Sequence, residues 1–390
     1  MIKLPLEESE RRLSALQEYL SRAGIGCAFI FHNVDRFYYT GTIQDGVLMV
    51  PAAREPVLFV RRTLSRAREE SPLESIIGFG SLREIRDYVQ DSGISSLSMG
   101  MDLDVVPAKI YLGFQSLFPG AGFEDISPFV RRQRAVKSPF ELSLMREAGK
   151  RFDHVLARLK DEIQPEMSEY QVYTLFIGLM LEHQSSLLAR SRMFNMEVEL
   201  RYILSGESAA RLSAIDSPSA GGTGISYAFP SGAGMKKIRA GEPILIDSVF
   251  VHEGYLVDCT RIYAFGELDP LFTRAHDLSQ QCHDLFRSRA RAGVCIPDLY
   301  TMVWRYVEEQ GFAGAFMGGV KFIGHGVGLE LDEFPILSER FDDIIEEGMV
   351  VAFEPKFVFP QGTVGFENTY LVREADIESL NCIDEDIQYL

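Results

Sequence analysis

Two aspartates in consecutive apolar runs are the clearest candidates for functional residues in this chain. Asp247 lies in one run of aliphatic and aromatic residues and Asp258 in the next, with a turn-like segment around Gly254 between them. The β-branched and aromatic content of both runs predicts a hairpin. A carboxylate buried there is destabilising by several kcal/mol unless it is paired or bound to a cation. Because Arg261 is the only arginine or lysine in the hairpin, we predict that the two aspartates share a metal ion.

Three further candidate ligands follow the hairpin in the sequence. They are His325, Glu354 and Glu367, and each stands in a short apolar run typical of a buried strand. With the two aspartates they make a set of four carboxylates and one imidazole. Four hard oxygen donors and one nitrogen favour Mn²⁺, Co²⁺ or Fe²⁺, with Zn²⁺ as a further alternative.

The five residues resemble the metal ligands of the pita-bread metallopeptidases, which include methionine aminopeptidase, aminopeptidase P and proline dipeptidase. In that family the ligands run Asp, Asp, His, Glu, Glu, and the two aspartates are 11 residues apart, as here (258 − 247 = 11). The resemblance implies an α+β pita-bread catalytic domain that holds two divalent metal ions, most readily Mn²⁺. It implies that Asp247 binds one ion, that His325 and Glu354 bind the other, and that Asp258 and Glu367 bridge them.

The same resemblance implies a hydrolytic reaction. In the reaction that it implies, a hydroxide between two metal ions would attack a carbonyl group polarised by a metal, and Glu354 would carry a proton from the nucleophile to the leaving amine. Thr260 follows Asp258 by two residues, so both side chains face the same side of a strand. Thr260 is therefore either a supporting group for the metal site or an ordinary strand-forming residue.

The chain departs from active members of the family at three places. They carry a second histidine seven residues after the ligand histidine, where this chain has Asp332, seven residues after His325. They also carry a histidine upstream of the first aspartate, but residues 207–240 contain none. Gly365 stands where proline-directed members often have arginine. We therefore add Asp332 to His325 and Glu354 as the candidate catalytic residues.

Length and capping signals predict two domains. A chain of 390 residues is longer than a domain with a single hydrophobic core usually is. The first part alternates helical and strand-like segments, as in a small α/β domain, and residues 33–41 resemble the N-terminal domain of creatinase-type proteins. Ser138 and Glu141 form a capping-box pattern around Pro139, which predicts the start of a long helix. We place an N-terminal creatinase-like domain at residues 1–133 and the catalytic domain at residues 134–390.

Composition excludes several classes of partner. The formal net charge of −17 disfavours binding to nucleic acid or to an anionic membrane, since both require a basic face. The five cysteines are scattered and include no CxxC pair, as expected for free thiols in a reducing compartment. The first residues lack the apolar core of a signal peptide, and no segment has the apolar length of a membrane span. These features predict a cytoplasmic protein.

The sequence thus predicts an exopeptidase that acts on short peptides, most readily an Xaa-Pro aminopeptidase or Xaa-Pro dipeptidase. A metal-dependent hydrolase or lyase with another substrate is the alternative, because the two family histidines are missing. A catalytically inactive binding domain is less consistent with five retained ligands. The resemblance also implies a homodimer.

Overall fold

The computed structural model describes residues 1–94, 97–197, 200, 202–213 and 219–390. The chain consists of two compact units, Met1–Arg134 and Ala135–Leu390. Each unit has its own buried apolar core. Among the described helices, none combines the length and apolarity that a bilayer crossing requires.

The first unit is a mixed sheet with helices. Its described strands are β1 (Cys27–Ile30), β2 (Gly46–Pro51), β3 (Val57–Val60), β4 (Ile76–Gly78), β5 (Ser98–Met101) and β6 (Gly122–Asp125), in the order β4-β3-β2-β1-β5-β6. Its described helices are α1 (Leu6–Ala23), α2 (Asn33–Thr40), α3 (Leu64–Glu70), α4 (Leu82–Asp91), α5 (Ala108–Leu117) and α6 (Ser127–Ala135). Helices and strands alternate, as the sequence predicts for a small α/β domain.

Asp102, directly after β5, is a buried carboxylate in this unit. Its Oδ2 accepts hydrogen bonds from the backbone N–H groups of Phe31 (3.0 Å) and His32 (2.7 Å). Its Oδ1 is buried and has no hydrogen-bond partner among the described residues. Burial, with the nearby carboxylate of Asp35, raises the pKa of Asp102 to about 8. The native unit therefore holds this carboxyl in its protonated form at neutral pH.

We predict that Asp102 makes the first unit less stable as pH rises. The native state binds more protons than the unfolded state between about pH 4 and about pH 8, so the free energy of unfolding falls across this window, by at most about 1.4 kcal/mol per pH unit. Asp102→Asn should flatten that slope, whereas Asp87→Asn, at an exposed position, should not. Urea unfolding at several pH values measures the slope. An equally steep slope in Asp102→Asn would contradict the assignment.

The second unit contains long helices and two larger sheets. Its described helices are α7 (Pro139–Glu162), α8 (Glu169–Glu182), α9 (Pro270–Arg289) and α10 (Ile296–Glu309). Strands β7 (Tyr202–Ser205), β8 (Pro243–His252), β9 (Tyr255–Ala264) and β17 (Gln388–Tyr389) form a sheet of order β17-β9-β8-β7. Strands β10 (Gly324–Gly326), β11 (Glu333–Ile336), β12 (Val350–Phe353), β15 (Asn368–Val372) and β16 (Ile377–Ser379) form a sheet of order β11-β10-β12-β15-β16, and β13 (Phe357–Phe359) pairs with β14 (Gly362–Val364).

The predicted start of α7 is confirmed. The Oγ of Ser138 accepts a hydrogen bond from the backbone N–H of Glu141 (3.3 Å), and the backbone N–H of Ser138 donates to Glu141 Oε2 (3.0 Å). Pro139 occupies the first helical position, where its missing N–H is not needed. The local sequence therefore sets this helix start without help from distant residues.

The predicted hairpin is confirmed as β8 and β9. His252 pairs with Tyr255, which leaves Glu253 and Gly254 as a two-residue turn with φ angles of 50° and 92°. Positive φ at both positions is the turn geometry that suits the twist of a hairpin, and it explains the glycine.

Candidate metal centre

The register of the hairpin places the two aspartates on one face. Asp247 on β8 lies opposite Thr260 on β9, and Thr260 is two residues from Asp258. Because side chains alternate along a strand, all three point to the same side. Asp258 is buried, whereas the side chain of Asp247 retains 14% exposure. The apolar runs around the two aspartates suggest that both are buried, and the structure buries Asp258 but buries Asp247 only in part.

Glu367 joins the hairpin through Thr260. The backbones of the two residues exchange N–H···O contacts of 3.3 Å in both directions, just before β15 begins. The Thr260 hydroxyl donates a hydrogen bond to Glu367 Oε2 at 2.9 Å. Thr260 thus orients a candidate ligand, which is the supporting role considered from the sequence.

His325 and Glu354 come from the neighbouring strands β10 and β12. His325 pairs with Ala352, and Glu354 follows the end of β12. His325 Nε2 lies 3.7 Å from Glu354 Oε1 and 3.9 Å from Asp258 Oδ2. The fold therefore brings the candidate ligands together from five strands or strand ends, although they span more than 100 positions of the sequence.

Backbone carbonyl groups orient the His325 ring. Its Nδ1 lies 3.0 Å from the carbonyl oxygen of Leu331 and 3.2 Å from that of Gly326. Carbonyl oxygens only accept, so Nδ1 carries a proton, and in the neutral imidazole the lone pair on Nε2 faces the carboxylates. Asp332 Oδ1 lies 3.7 Å from Nδ1, on the side of the ring away from the other candidate ligands.

The donor atoms that remain open fit a divalent cation. One ligand atom from each of Asp258, His325 and Glu367 lies within 4.8 Å of the others. Asp258 Oδ1 and Glu367 Oε1 are buried and have no hydrogen-bond partner among the described residues. Buried carboxylate oxygens require a cation or a donor, and two carboxylates with an imidazole suit a transition-metal ion.

Lys356 is a member of the candidate site that the sequence analysis missed. Its Nζ donates to Asp247 Oδ2 (2.7 Å), Glu367 Oε2 (2.8 Å) and Glu354 Oε2 (3.0 Å). The side chain is 1% exposed, so the ammonium lies inside the cluster. One signal was present in the sequence: Lys356 follows Glu354 by two residues, the spacing that puts side chains on one side of an extended chain.

Burial and mutual repulsion dominate the electrostatics of the acidic residues. Burial raises the pKa of Asp258 well above its ordinary value, and Glu367 and Asp247 add to the rise. Burial also raises the pKa of Glu354 to about 7, against the opposing effect of Lys356. These carboxylates therefore gain strongly from any cation that binds among them.

The two basic members of the cluster hold their charge more firmly than usual. Burial alone would lower the pKa of Lys356, but Asp247, Glu354 and Glu367 outweigh it and raise that pKa well above its ordinary value. Burial likewise opposes a charged His325, yet Asp332 and Glu354 raise its pKa. The Lys356 ammonium is therefore a fixed positive charge of the site.

Arg261, the only arginine or lysine of the hairpin, does not neutralise the aspartates. Its guanidinium points to the opposite face of β9 and donates to the carbonyl oxygens of Glu367 (2.8 Å), Asp384 (2.8 Å) and Ile383 (3.0 Å) and to Asn368 Oδ1 (2.8 Å). It ties β9 to the start of β15 and to the C-terminal segment. Arg261 therefore positions the strand that carries Asp258 and Thr260.

Gly365 has a structural reason to be glycine. Its φ is 114°, and a Cβ atom there would lie 2.6 Å from the carbonyl oxygen of Pro355 and 2.9 Å from the Cα of Lys356. Any residue with a Cβ at this position, including the arginine that the family resemblance implies, would require the backbone of Pro355 and Lys356 to move. Gly365 is therefore required by the path of the neighbouring backbone.

Comparison with known proteins identifies both parts of the chain. The profile of metallopeptidase family M24 matches residues 143–374, more than half of the chain. The profile of the creatinase/prolidase N-terminal domain matches residues 12–136.

Relatives match along nearly the whole chain. A Xaa-Pro dipeptidase of Pyrococcus furiosus is 22% identical over 382 residues, which cover 97% of this chain and 99% of the relative. Among solved structures, a Xaa-Pro dipeptidase from Bacillus anthracis superposes with a TM-score of 0.84 at 22% identity, covering 98% of this chain and 100% of that one. An X-Pro aminopeptidase from Thermotoga maritima gives a TM-score of 0.82 at 21% identity, covering 98% and 99%. These likenesses confirm the predicted two-domain fold with a pita-bread catalytic domain, and the chain belongs to metallopeptidase family M24.

Proposed function

We propose that this protein is a metal-dependent exopeptidase that hydrolyses short peptides, with Xaa-Pro bonds as the preferred substrates. The observation that carries the proposal is the convergence of Asp258, His325 and Glu367, whose open donor atoms fit a divalent cation. Membership in a metallopeptidase family implies divalent metal as the cofactor. The proline preference is supported by relatives that are themselves named Xaa-Pro dipeptidase.

The residues of the site would have separate roles in hydrolysis. A bound divalent ion supplies Lewis-acid polarisation and lowers the pKa of water. Glu354, with Oε1 turned toward His325 and Oε2 toward Lys356, is the residue placed to accept a proton and pass it to the leaving amine. Asp332 Oδ1 lies 3.7 Å from His325 Nδ1, so its negative charge favours a proton on that nitrogen, while backbone carbonyl groups set the orientation of the ring. We propose Mn²⁺ as the metal on the strength of the oxygen-rich donor set.

A metal-dependent hydrolase or lyase with a non-peptide substrate is the second candidate. The observations that favour it are Asp332 in place of a family histidine, the absence of histidine from residues 207–240, and Gly365 in place of arginine. By family resemblance, the two missing histidines would contact the substrate or stabilise the tetrahedral intermediate, and the loss of one such donor costs about 10²- to 10³-fold in rate.

We expect metal-dependent cleavage of Xaa-Pro dipeptides or tripeptides after reconstitution with Mn²⁺. The measurement is release of amino acid from a panel of Xaa-Pro dipeptides, Xaa-Pro tripeptides and matched peptides without proline. EDTA should abolish cleavage because the reaction requires the ion, and Mn²⁺ should restore it. Metal-loaded protein that cleaves none of these peptides would exclude the peptidase and favour the second candidate.

We further propose that the protein is a cytoplasmic homodimer. All five cysteines are free thiols, which suits a reducing compartment. The dimer is implied by family resemblance alone, and a monomeric mass by light scattering would contradict it.

A further inference from the structure

We propose that the Lys356 ammonium takes the place of one of the two metal ions implied by family resemblance, so that this chain binds a single divalent ion. That ion lies among Asp258, His325 and Glu367. The proposal rests on the proposed metal-dependent function for the identity of the cofactor, but it concerns the number of ions and the residue that replaces one of them.

The geometry around Lys356 resembles a cation site. An ammonium group has three N–H donors, and here each meets a different carboxylate, from Asp247, Glu354 and Glu367, at 2.7 to 3.0 Å. By family resemblance, Asp247 would bind only one of the two ions, the one that His325 and Glu354 do not bind. In this structure the Oδ2 of Asp247 instead accepts a hydrogen bond from Lys356. An ion bound by Asp247 would therefore compete directly with the ammonium.

The backbone of Lys356 is held in place, and its side chain is enclosed. Its carbonyl oxygen accepts a hydrogen bond from the backbone N–H of Met317 at 2.8 Å. Gly365 packs so closely that a Cβ would come within 2.9 Å of the Cα of Lys356. With a side chain that is 1% exposed, Lys356 lacks the freedom of a surface lysine that swings away when a metal arrives.

The candidate ligand atoms that do not contact Lys356 lie together at the position of the other ion, among Asp258, His325 and Glu367. Asp258 Oδ1 and Glu367 Oε1 are buried without a hydrogen-bond partner among the described residues, and His325 Nε2 faces Asp258 Oδ2 at 3.9 Å. Glu367 is shared, because its Oε2 accepts from Lys356 while its Oε1 stays open. One ammonium and one ion would thus be bridged by Glu367.

The charges of the site agree with one ion. Four ionised carboxylates, one ammonium and one divalent ion leave a net charge of about −1 with neutral His325, whereas a second ion beside the ammonium would make it about +1. Two metal ions without the lysine would leave about 0. The Lys356 ammonium therefore disfavours the binding of a second divalent ion and supplies part of the positive charge that this ion would have contributed.

The metal content of the wild-type protein tests the proposal directly. The full chain is stripped with EDTA, incubated with excess Mn²⁺, freed of unbound ions and measured by native mass spectrometry and elemental analysis. We expect about one ion per chain, because one of the two cation positions is filled by the ammonium. A value of two, or of none, would overturn the proposal.

Replacing the lysine should open the second position. We expect Lys356→Ala to bind about two Mn²⁺ ions per chain and to gain more thermal stability from Mn²⁺ than the wild type, because three carboxylates lose their partner. Lys137→Ala is the matched control, because Lys137 is also 1% exposed and pairs with a carboxylate, Glu333, at 3.1 Å. The control should stay at one ion. A count of one in Lys356→Ala would overturn the proposal, and if this variant does not fold, the wild-type count still decides.

The outcomes separate this proposal from the proposed function. One bound ion without peptide cleavage would leave Lys356 as the replacement for a metal and would reject the peptidase. Two bound ions with peptide cleavage would reject the replacement and leave the peptidase intact.

Discussion

Asp258→Asn is expected to abolish tight metal binding and, at the same time, to make the metal-free protein more stable. Asp258 supplies the proposed ion with a buried oxygen that has no hydrogen-bond partner in the described part of the chain, and an amide is a far weaker ligand. Loss of outer hydrogen-bond partners alone lowers metal affinity about 10- to 100-fold, so loss of a direct ligand should exceed about 100-fold.

The gain in metal-free stability has a separate cause. Burial, Glu367 and Asp247 all raise the pKa of Asp258, so its ionised form is unfavourable in the native state. A neutral amide of the same shape removes that repulsion. The raised pKa also determines how stability depends on pH. Above the pH range in which an ordinary aspartate titrates, the native state binds more protons than the unfolded state, so the metal-free wild type should lose stability as pH rises. Asp258→Asn should lose less stability over the same range.

Calorimetric titration with Mn²⁺ and urea unfolding in EDTA measure the two effects. Asp277→Asn, at an exposed position of α9, is the control and should change neither affinity nor stability. Unchanged metal affinity in Asp258→Asn would remove Asp258 from the ligand set. A metal-free variant less stable than wild type would contradict the electrostatic argument.

Arg261→Met is expected to lower the free energy of unfolding by about 3–5 kcal/mol. Arg261 is fully buried, and its guanidinium donates to carbonyl groups of the C-terminal segment and of Glu367. Methionine fills much of the volume but leaves these acceptors and Asn368 Oδ1 without a donor. Because buried unsatisfied acceptors are costly, the loss should exceed that of an ordinary core substitution.

Urea unfolding of the full chain measures this loss. Arg274→Met, at an exposed position of α9, is the matched control and should change stability by less than about 0.5 kcal/mol. Because Arg261 holds the strand that carries Asp258, metal affinity should weaken as well. A loss below about 1 kcal/mol in Arg261→Met would show that the acceptors find other donors.

Local patterns in the sequence determined the hairpin and the helix starts. The β8–β9 hairpin follows from two apolar runs around Glu253-Gly254, and α7 follows from the capping box at Ser138 and Glu141. Both depend on hydrogen bonds and backbone preferences over a few residues, so distant parts of the chain are not needed to predict them. The order and spacing of the candidate ligands likewise pointed to the family that the comparisons confirm.

Only the tertiary structure decided which groups share the site and with what partners. Lys356 is one residue among 39 lysines and arginines in the sequence, and nothing local shows that its ammonium meets Asp247, more than 100 positions earlier. The same holds for the contact between Gly365 and the backbone of Lys356. The physical reason is that charge pairing and close packing depend on distances through space, which strand register and sheet assembly set and which residue spacing along the chain does not contain.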